Sequence, residues 1–212
     1  NLVVDRFGLA LEMAHAVFRY PEGMTSRLSG TFFFQGNPRD KQLRGEVRIE
    51  EAAYEKRIEL RSMVLELRQA REKLEEKGGT PFLGDTQLDI HFIGSENIWV
   101  NNNLAKFPMQ VDLVLRGTVD RPQLFGNVVA RDGTFVFRRN DFKVLSATAD
   151  FISTDTIRPV LDIHAQTEIR GYKIDLRLTG TVERFNLSLQ SDPVLTETDI
   201  LALMTVGQTA SE

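Results

Sequence analysis

Apolar and polar residues alternate along most of this chain with the period of two that is typical of β-strands. The clearest example runs from Leu161 to Thr179, where the alternation is interrupted once, at Gly171-Tyr172, and then resumes. Successive side chains of a strand point to opposite faces of a sheet, so this stretch predicts an antiparallel hairpin with one apolar and one polar face.

A two-residue loop at Gly171-Tyr172 predicts a specific register for that hairpin. It places Ile169 opposite Ile174, which keeps the apolar side chains on one face. It also places Glu168 opposite Asp175, which is unfavourable unless an arginine lies diagonally between the two carboxylates. The hydrophobic pattern therefore determines the predicted register more strongly than the charges do.

Short internal sequence repeats indicate that similar strand units recur along the chain. The segment Gly45–Tyr54 aligns without gaps with Gly126–Phe135, and Leu-Asp-Ile-His occurs twice, starting at Leu88 and at Leu161. Gly-Thr pairs also recur near strand ends, at 30–31, 117–118 and 180–181. These repeats favour stacked, similar strands over a single closed sandwich.

Two segments depart from the strand pattern. From Ser62 to Lys77 the apolar residues are spaced three and four apart and Gly78-Gly79 follows, which predicts an amphipathic helix of about four turns. We expect its apolar stripe to cover a sheet edge or face, and the alternative is that the stripe docks a partner. Near the end of the chain, Thr196 and Asp199 have the spacing of a capping box. We therefore predict a short terminal helix from Thr196 to Val206.

Composition narrows the classes of function. The net charge is −4, and the 26 Lys and Arg are interleaved with 30 acidic residues, which argues against a nucleic-acid-binding surface. The absence of cysteine excludes disulfides and thiolate metal sites. No apolar run approaches the ~20 residues that span a bilayer, and the chain begins at Asn1. We expect a fragment of a longer protein, with any membrane anchor or export signal outside it.

No arrangement of residues typical of catalysis is found. The sequence contains no nucleophile elbow, phosphate-binding loop or dinucleotide fingerprint. Asp89, His91, Asp162 and His164 could form a metal site if their two strands were neighbours, but such residues also belong naturally on the polar face of an amphipathic strand. We therefore expect no enzyme activity, no metal and no cofactor.

A series of short motifs follows one another in a fixed order along the second half of the chain. The motifs are Ile98-Trp99-Val100, Leu113-Val114-Leu115-Arg116-Gly117-Thr118, Pro122-x-Leu124-x-Gly126, Arg131-Asp132-Gly133-Thr134-Phe135-x-Phe137, Pro159-Val160-Leu161-Asp162-Ile163, Gly171-Tyr172 and Ser191-Asp192-Pro193-x-Leu195-Thr196-x-x-Asp199-Ile200-Leu201. This ordered series resembles the C-terminal conserved domain of the TamB family, the translocation and assembly module subunit of bacteria with two membranes. The resemblance extends from about Leu88 to Gly207, and the helix at 62–77 looks like an insertion.

The resemblance implies a mainly β fold: a curled, largely antiparallel amphipathic sheet that forms an open β-groove (a β-taco), with one inserted amphipathic helix and a short C-terminal helix. We expect an N-terminal strand-repeat portion, 1–87, and a TamB-like portion, 88–212, in one continuous β structure. It also implies a protein anchored in the inner membrane that crosses the periplasm towards the outer membrane. Its expected partners are phospholipid acyl chains and an outer-membrane β-barrel assembly protein of the TamA/BamA type.

The resemblance implies that the function is that of a segment of a periplasm-spanning conduit for phospholipid transport to the outer membrane, for outer-membrane protein assembly, or for both. The alternative is a closed β scaffold that binds a β-barrel partner or client strand by edge pairing, without lipid. Strand alternation is compatible with both. The residues predicted to line the groove are Val111, Leu113, Leu115, Leu161, Ile163, Ile169, Ile174, Leu176 and Leu178.

Overall fold

A computed structural model describes residues 6–20, 22–57, 83–152, 157–181 and 184–206. The helix predicted at 62–77 lies outside these residues. Within them the chain forms β1 (Phe7–Phe18), β2 (Met24–Gly36), β3 (Lys41–Tyr54), β4 (Gln87–Gly94), β5 (Ile98–Asn101), β6 (Ala105–Thr118), β7 (Pro122–Ala130), β8 (Thr134–Phe137), β9 (Asn140–Phe151), β10 (Val160–Ile169), β11 (Tyr172–Thr181), β12 (Arg184–Asp192) and α1 (Glu197–Val206).

All of these strands belong to one sheet that does not close into a barrel. Its order is β1-β2-β3-β4-β6-β7-β9-β10-β11-β12, with β5 beside β3 and β6, and β8 beside β6 and β9. Neighbouring strands are antiparallel except where β3 pairs with β4 and β5. The predicted mainly antiparallel β fold is confirmed, and β1 and β12 are the edges of the sheet.

One face of the sheet is predominantly apolar from edge to edge. Directly opposed residues in paired strands share a face, so the strand register traces this face across the molecule. We call it the apolar face, and two of its rows illustrate its composition. One row is Leu11, Phe32, Gly45, Ile90, Leu115 and Leu124, and another is Met109, Ala130, Ala147, Ile163, Leu178 and Leu187.

The β10–β11 hairpin has a different register from the predicted one. Its turn residues are Arg170 and Gly171, so Ile169 pairs with Tyr172 and Glu168 with Lys173. Both turn residues have left-handed φ angles, 51° and 83°, and glycine suits the second position better than the bulky Tyr172 would. The prediction that set Ile169 opposite Ile174 was wrong by two residues. A shift of two preserves the faces, and it replaces a repulsive carboxylate pair with an attractive one.

Two of the repeated Gly-Thr pairs, 117–118 and 180–181, form equivalent turns. Gly117 and Gly180 have positive φ, and a Cβ on either would meet the carbonyl oxygen of the arginine four residues later. At the β6–β7 turn the Arg121 amide donates to Thr118 Oγ1 over 3.2 Å, and at the β11–β12 turn the Arg184 amide donates to Thr181 Oγ1 over the same distance. The sequence repeat therefore reflects the same kind of turn, formed twice at the same end of the strands.

The terminal helix begins with the predicted capping box. The Asp199 amide donates to Thr196 Oγ1 over 3.2 Å, and that hydroxyl lies 2.6 Å from the Asp199 carboxylate. At the other end, Asn140 Nδ2 donates to the Met204 carbonyl oxygen over 2.9 Å. Both ends of α1 are therefore fixed by hydrogen bonds that satisfy groups a helix leaves unpaired.

Candidate functional site

The structure places all nine residues predicted to line a groove on the apolar face. Those on β6 (Val111, Leu113 and Leu115) and Leu161 on β10 are half-buried. The other five lie towards the β12 edge: Ile163, Ile169, Ile174, Leu176 and Leu178. The register thus brings all nine residues to one side of the sheet and distributes them over β6, β10 and β11.

The sheet curls around an apolar cavity of about 250 Å³. Its wall includes Phe107 on β6 and Phe185 on β12, although these strands are five positions apart in the sheet. In a flat sheet that separation is ~24 Å, several times the width of such a cavity. Every residue that lines it is apolar: Phe107, Phe135, Phe137, Val144, Ala147, Ile163, Leu176, Leu178, Phe185 and Leu187.

Helix α1 covers one end of the apolar face. Ile200, Leu203 and Met204 are buried in a cluster that also contains Ile174 and Leu176. Ile174 is 0% exposed and Leu176 is 2% exposed. These two positions are therefore part of a hydrophobic core beneath the helix, and Leu176 also borders the cavity.

The opposite end of the same face is uncovered within the part of the chain that the structure describes. Leu9 and Leu11 on β1 are 65% and 64% exposed. Next to them, the rings of Phe7 and Phe34 stack at an angle with their centroids 4.9 Å apart. Apolar side chains at this end consequently contact one another and solvent.

Sequence reasoning missed several residues that form the cavity. Phe107, Phe185 and Leu187 gave no signal beyond ordinary strand alternation, because only the curl of the sheet brings them together. Phe135 and Phe137 were recognised as strand residues, and their spacing of two could have identified them as members of one face. Phe142 stacks on Phe135 with ring centroids 5.6 Å apart and extends this aromatic wall beneath the helix.

On the polar face, both Leu-Asp-Ile-His copies make ionic contacts with a neighbouring strand. The carboxylate of Asp89 lies 3.7 Å from Arg116, and that of Asp162 lies 3.0 Å from Arg177. His91 is 2.7 Å from an oxygen of the Asp112 carboxylate on β6. Each copy thus contributes a short polar ladder.

The histidine of the second copy makes the same kind of contact: His164 is 3.2 Å from an oxygen of the Asp175 carboxylate on β11. The strands that carry the two copies, β4 and β10, are separated by β6, β7 and β9. The neighbouring arrangement that a shared metal site would require is therefore not the one observed. Among the described residues no group of three potential ligands could hold a metal ion.

Local hydrogen bonds lower the pKa of two acidic side chains. A hydrogen bond from Ser29 Oγ, 2.7 Å long, and a 2.8 Å contact with His15 lower the pKa of the Glu50 carboxyl. At the other end of β3, the ammonium of buried Lys41 lies 2.7 Å from Asp85 and lowers the pKa of that carboxyl. Both arrangements connect strands or loops and lie away from the apolar cavity.

The chain thus belongs to the class of open β-sheet proteins with an extended apolar face, part of which forms the wall of a cavity. The chain matches the family model described as the TamB C-terminal domain over residues 2–212 and therefore belongs to the TamB family. The match also includes residues 2–87, which precede the part of the chain covered by the motif resemblance. A comparison with curated proteins found no match.

Membership of this family indicates the general role and the cellular location of the domain. TamB proteins are transport and assembly modules and are not a known enzyme family, and they work with TamA-type partners and lipids. The family places this domain in the periplasmic part of an envelope protein. Among the residues described here, no helix is long and apolar enough to cross a membrane.

Proposed function

We propose that this chain is a segment of a periplasm-spanning conduit whose apolar face shields the acyl chains of phospholipids on their way to the outer membrane. The same surface would serve outer-membrane protein assembly with a TamA/BamA-type barrel, in a protein anchored in the inner membrane. The observation that carries the proposal is the continuity of the apolar face from β1 to β12, with a cavity lined only by apolar side chains.

The energetics of an acyl chain explain why such a face is useful. Each CH₂ group contributes about 0.8 kcal/mol when it leaves water, so a sixteen-carbon chain would cost on the order of 10 kcal/mol to expose. A continuous apolar surface removes that barrier without a deep polar site, which would hold the lipid in place. In this proposal the transport groove is lined by Val111, Leu113, Leu115, Leu161, Ile163, Ile169 and Leu178, with Ile174 and Leu176 at its helix-covered end.

A second candidate function is the pairing of a client strand at a sheet edge. The 12-residue strand β1 pairs only with β2 among the described residues, so its other side offers a row of backbone hydrogen-bonding groups. The exposed Leu9 and Leu11 would contact apolar side chains of such a strand. Because one open sheet is observed, the closed-sandwich form of this alternative is not retained.

The proposed function is tested by mass spectrometry of the lipids that remain with detergent-free protein. Leu178→Arg introduces a charge into the half-buried cavity wall, whereas Thr179→Arg introduces the same charge at the next residue, on the polar face. Leu176→Arg is less informative, because Leu176 is part of the core beneath α1.

We expect phospholipid with the parent and with Thr179→Arg, and a severalfold loss with a folded Leu178→Arg variant. Equal lipid content in both variants, or a parent without lipid, would contradict the conduit and favour edge pairing.

A further inference from the structure

Three arginines occupy left-handed positions in turns at one end of the strands. The β8–β9 turn consists of Arg138 and Arg139, with φ angles of 48° and 67°, and the β10–β11 turn begins with Arg170 at 51°. Such turns are normally formed by glycine, asparagine or aspartate, because a long side chain disfavours positive φ. Arginine is held here in an unfavourable backbone conformation with its side chain exposed.

The two turns lie side by side. Strands β9 and β10 are antiparallel neighbours, so the start of β9 at Asn140 lies beside the end of β10 at Ile169. Phe137, just before the first turn, and Ile169, just before the second, both pack against the hydrophobic cluster beneath α1. We call Arg138, Arg139 and Arg170 together the basic tip.

The basic tip has little compensating negative charge. Within the described ranges, none of its three arginines forms an ion pair with a carboxylate; Arg138 instead reaches Thr205 Oγ1 on α1, 3.5 Å away. Two acidic residues are nearby in sequence: Asp141 follows the first turn on β9, and Glu168 is directly opposite Lys173.

Basic residues also lie at the opposite ends of the strands. There, Lys41 is paired with Asp85 at 2.7 Å. Among the described residues Arg39, Arg121 and Arg184 form no ion pair, but they lie away from α1. The basic tip is distinguished by its place beside α1 and the apolar cavity.

The basic tip also adjoins the apolar cavity. Phe137 lines that cavity, and the guanidinium carbon of Arg138 lies 6.0 Å from the centre of the Phe137 ring. An amphiphile with an anionic head and an apolar tail presents the complementary pair of surfaces. The planar guanidinium group binds phosphate oxygens through two parallel hydrogen bonds, which suits a phosphodiester headgroup.

We propose that the basic tip binds anionic phospholipid headgroups at a bilayer surface and orients the mouth of the apolar cavity towards that surface. This inference rests on the proposed function, because lipid is the cargo assumed for the cavity. It adds a site of first contact and a preference for negatively charged headgroups.

The test is flotation of the 212-residue chain with vesicles of phosphatidylcholine, with or without phosphatidylglycerol. The triple variant Arg138→Gln, Arg139→Gln and Arg170→Gln removes the basic tip. The matched control Arg39→Gln, Arg121→Gln and Arg184→Gln removes the same charge from the opposite ends of the strands.

Each basic residue near an anionic membrane contributes roughly fivefold in affinity, so loss of the basic tip should weaken binding to the anionic vesicles on the order of a hundredfold. The control variant should bind as the parent does, and added salt should weaken the parent's binding. Equal weakening in both triple variants, or a parent indifferent to phosphatidylglycerol, would overturn the proposal.

A second measurement separates this inference from the proposed function. Binding of a fluorescent fatty acid without vesicles reports on the cavity alone and should be unchanged in the basic-tip variant. Normal fatty-acid binding with no preference for anionic vesicles would refute the basic tip alone. Vesicle binding that depends on the basic tip, with no fatty-acid binding, would refute the cavity as the lipid carrier and leave the tip as a membrane contact.

Discussion

The two ends of the apolar face have the same sequence pattern and very different environments. On β1, Leu9 and Leu11 alternate with other residues and remain about two-thirds exposed. On β11, Ile174 and Leu176 alternate in the same way and are buried. The difference comes from α1, which packs on the second end, and from the curl that brings β6 and β12 around one cavity.

This contrast separates two properties that alternation alone cannot distinguish. The alternation determines which face of the sheet a side chain occupies, whereas packing of other elements determines whether that side chain leaves water. A large apolar surface without a cover typically marks a site of interaction. The covered end thus forms a hydrophobic core beneath α1, and the other end is the part of the same surface that remains exposed among the described residues.

The largest expected effect is a difference between charge substitutions at the two ends. Leu176→Arg places an unpaired charge among buried side chains and should lower the free energy of unfolding by about 3–5 kcal/mol. Leu11→Arg on exposed β1 should change it by less than about 0.5 kcal/mol. Urea denaturation followed by circular dichroism measures both. Similar losses at the two positions would show that the uncovered end is also packed.

The next effect concerns the packing of α1 on the sheet. Ile200→Ala removes a fully buried side chain from the cluster and should cost about 2–5 kcal/mol. Val194→Ala in the preceding linker, where the side chain is 89% exposed, is the control. The Ile200 variant should also bind more of a dye specific for apolar surfaces. A stable variant with no additional dye binding would indicate that α1 does not hold this end closed.

A smaller effect is expected at the helix cap. Thr196→Ala removes the hydroxyl that accepts the Asp199 amide and should destabilise the protein by about 1 kcal/mol. Thr198→Ala, in the exposed first turn of α1, should have a much smaller effect. Chemical denaturation of the two variants compares them directly, and equal changes would assign the loss to helix propensity rather than to the cap.

The smallest effect is a pH dependence at the uncovered end. The pKa of Glu50 is lowered by its hydrogen bonds to Ser29 and His15, so the folded state binds fewer protons there than the unfolded state. Its contribution to stability is present above the ordinary value of 4.5 and is lost as the pH falls through the lower folded-state pKa. Glu50→Gln should reduce the loss of stability on acidification.

The readout for Glu50 is the urea midpoint measured from neutral pH downwards. Glu12→Gln, which removes a carboxylate from strand β1, is the control. An unchanged acid dependence in the Glu50 variant, or the same change in both variants, would contradict the assignment to this hydrogen-bonded group.

The sequence was most informative where the structural rule is local. Alternation identified the faces of β6, β10 and β11, and the Thr196 capping box located the start of α1. The hairpin register failed because the turn uses a left-handed Arg170, an exception to the usual turn residues. Alternation also carries no information about strand direction, so the parallel pairing of β3 with β4 could not be anticipated.

The site was only partly accessible to the same reasoning. Positions such as Ile163 and Leu178 followed from their face, but Phe107 and Phe185 meet only because twist accumulates over several strands. The cover over Ile174 depends on how α1 folds back, which no property of β11 encodes. Long-range geometry therefore decided which apolar residues form a core and which form a wall.

The most direct test of the central claim is to map where an acyl chain lies on the protein. A phospholipid with a photoreactive group in its acyl chain is bound to the purified chain and irradiated, and the modified residues are identified by mass spectrometry. Leu113 and Val114 are adjacent on β6 and lie on opposite faces, so they form an internal comparison. We expect labelling of Leu113 and Leu115 and none of Val114. Equal labelling of both faces, or labelling confined to the polar face, would contradict an apolar face that carries lipid.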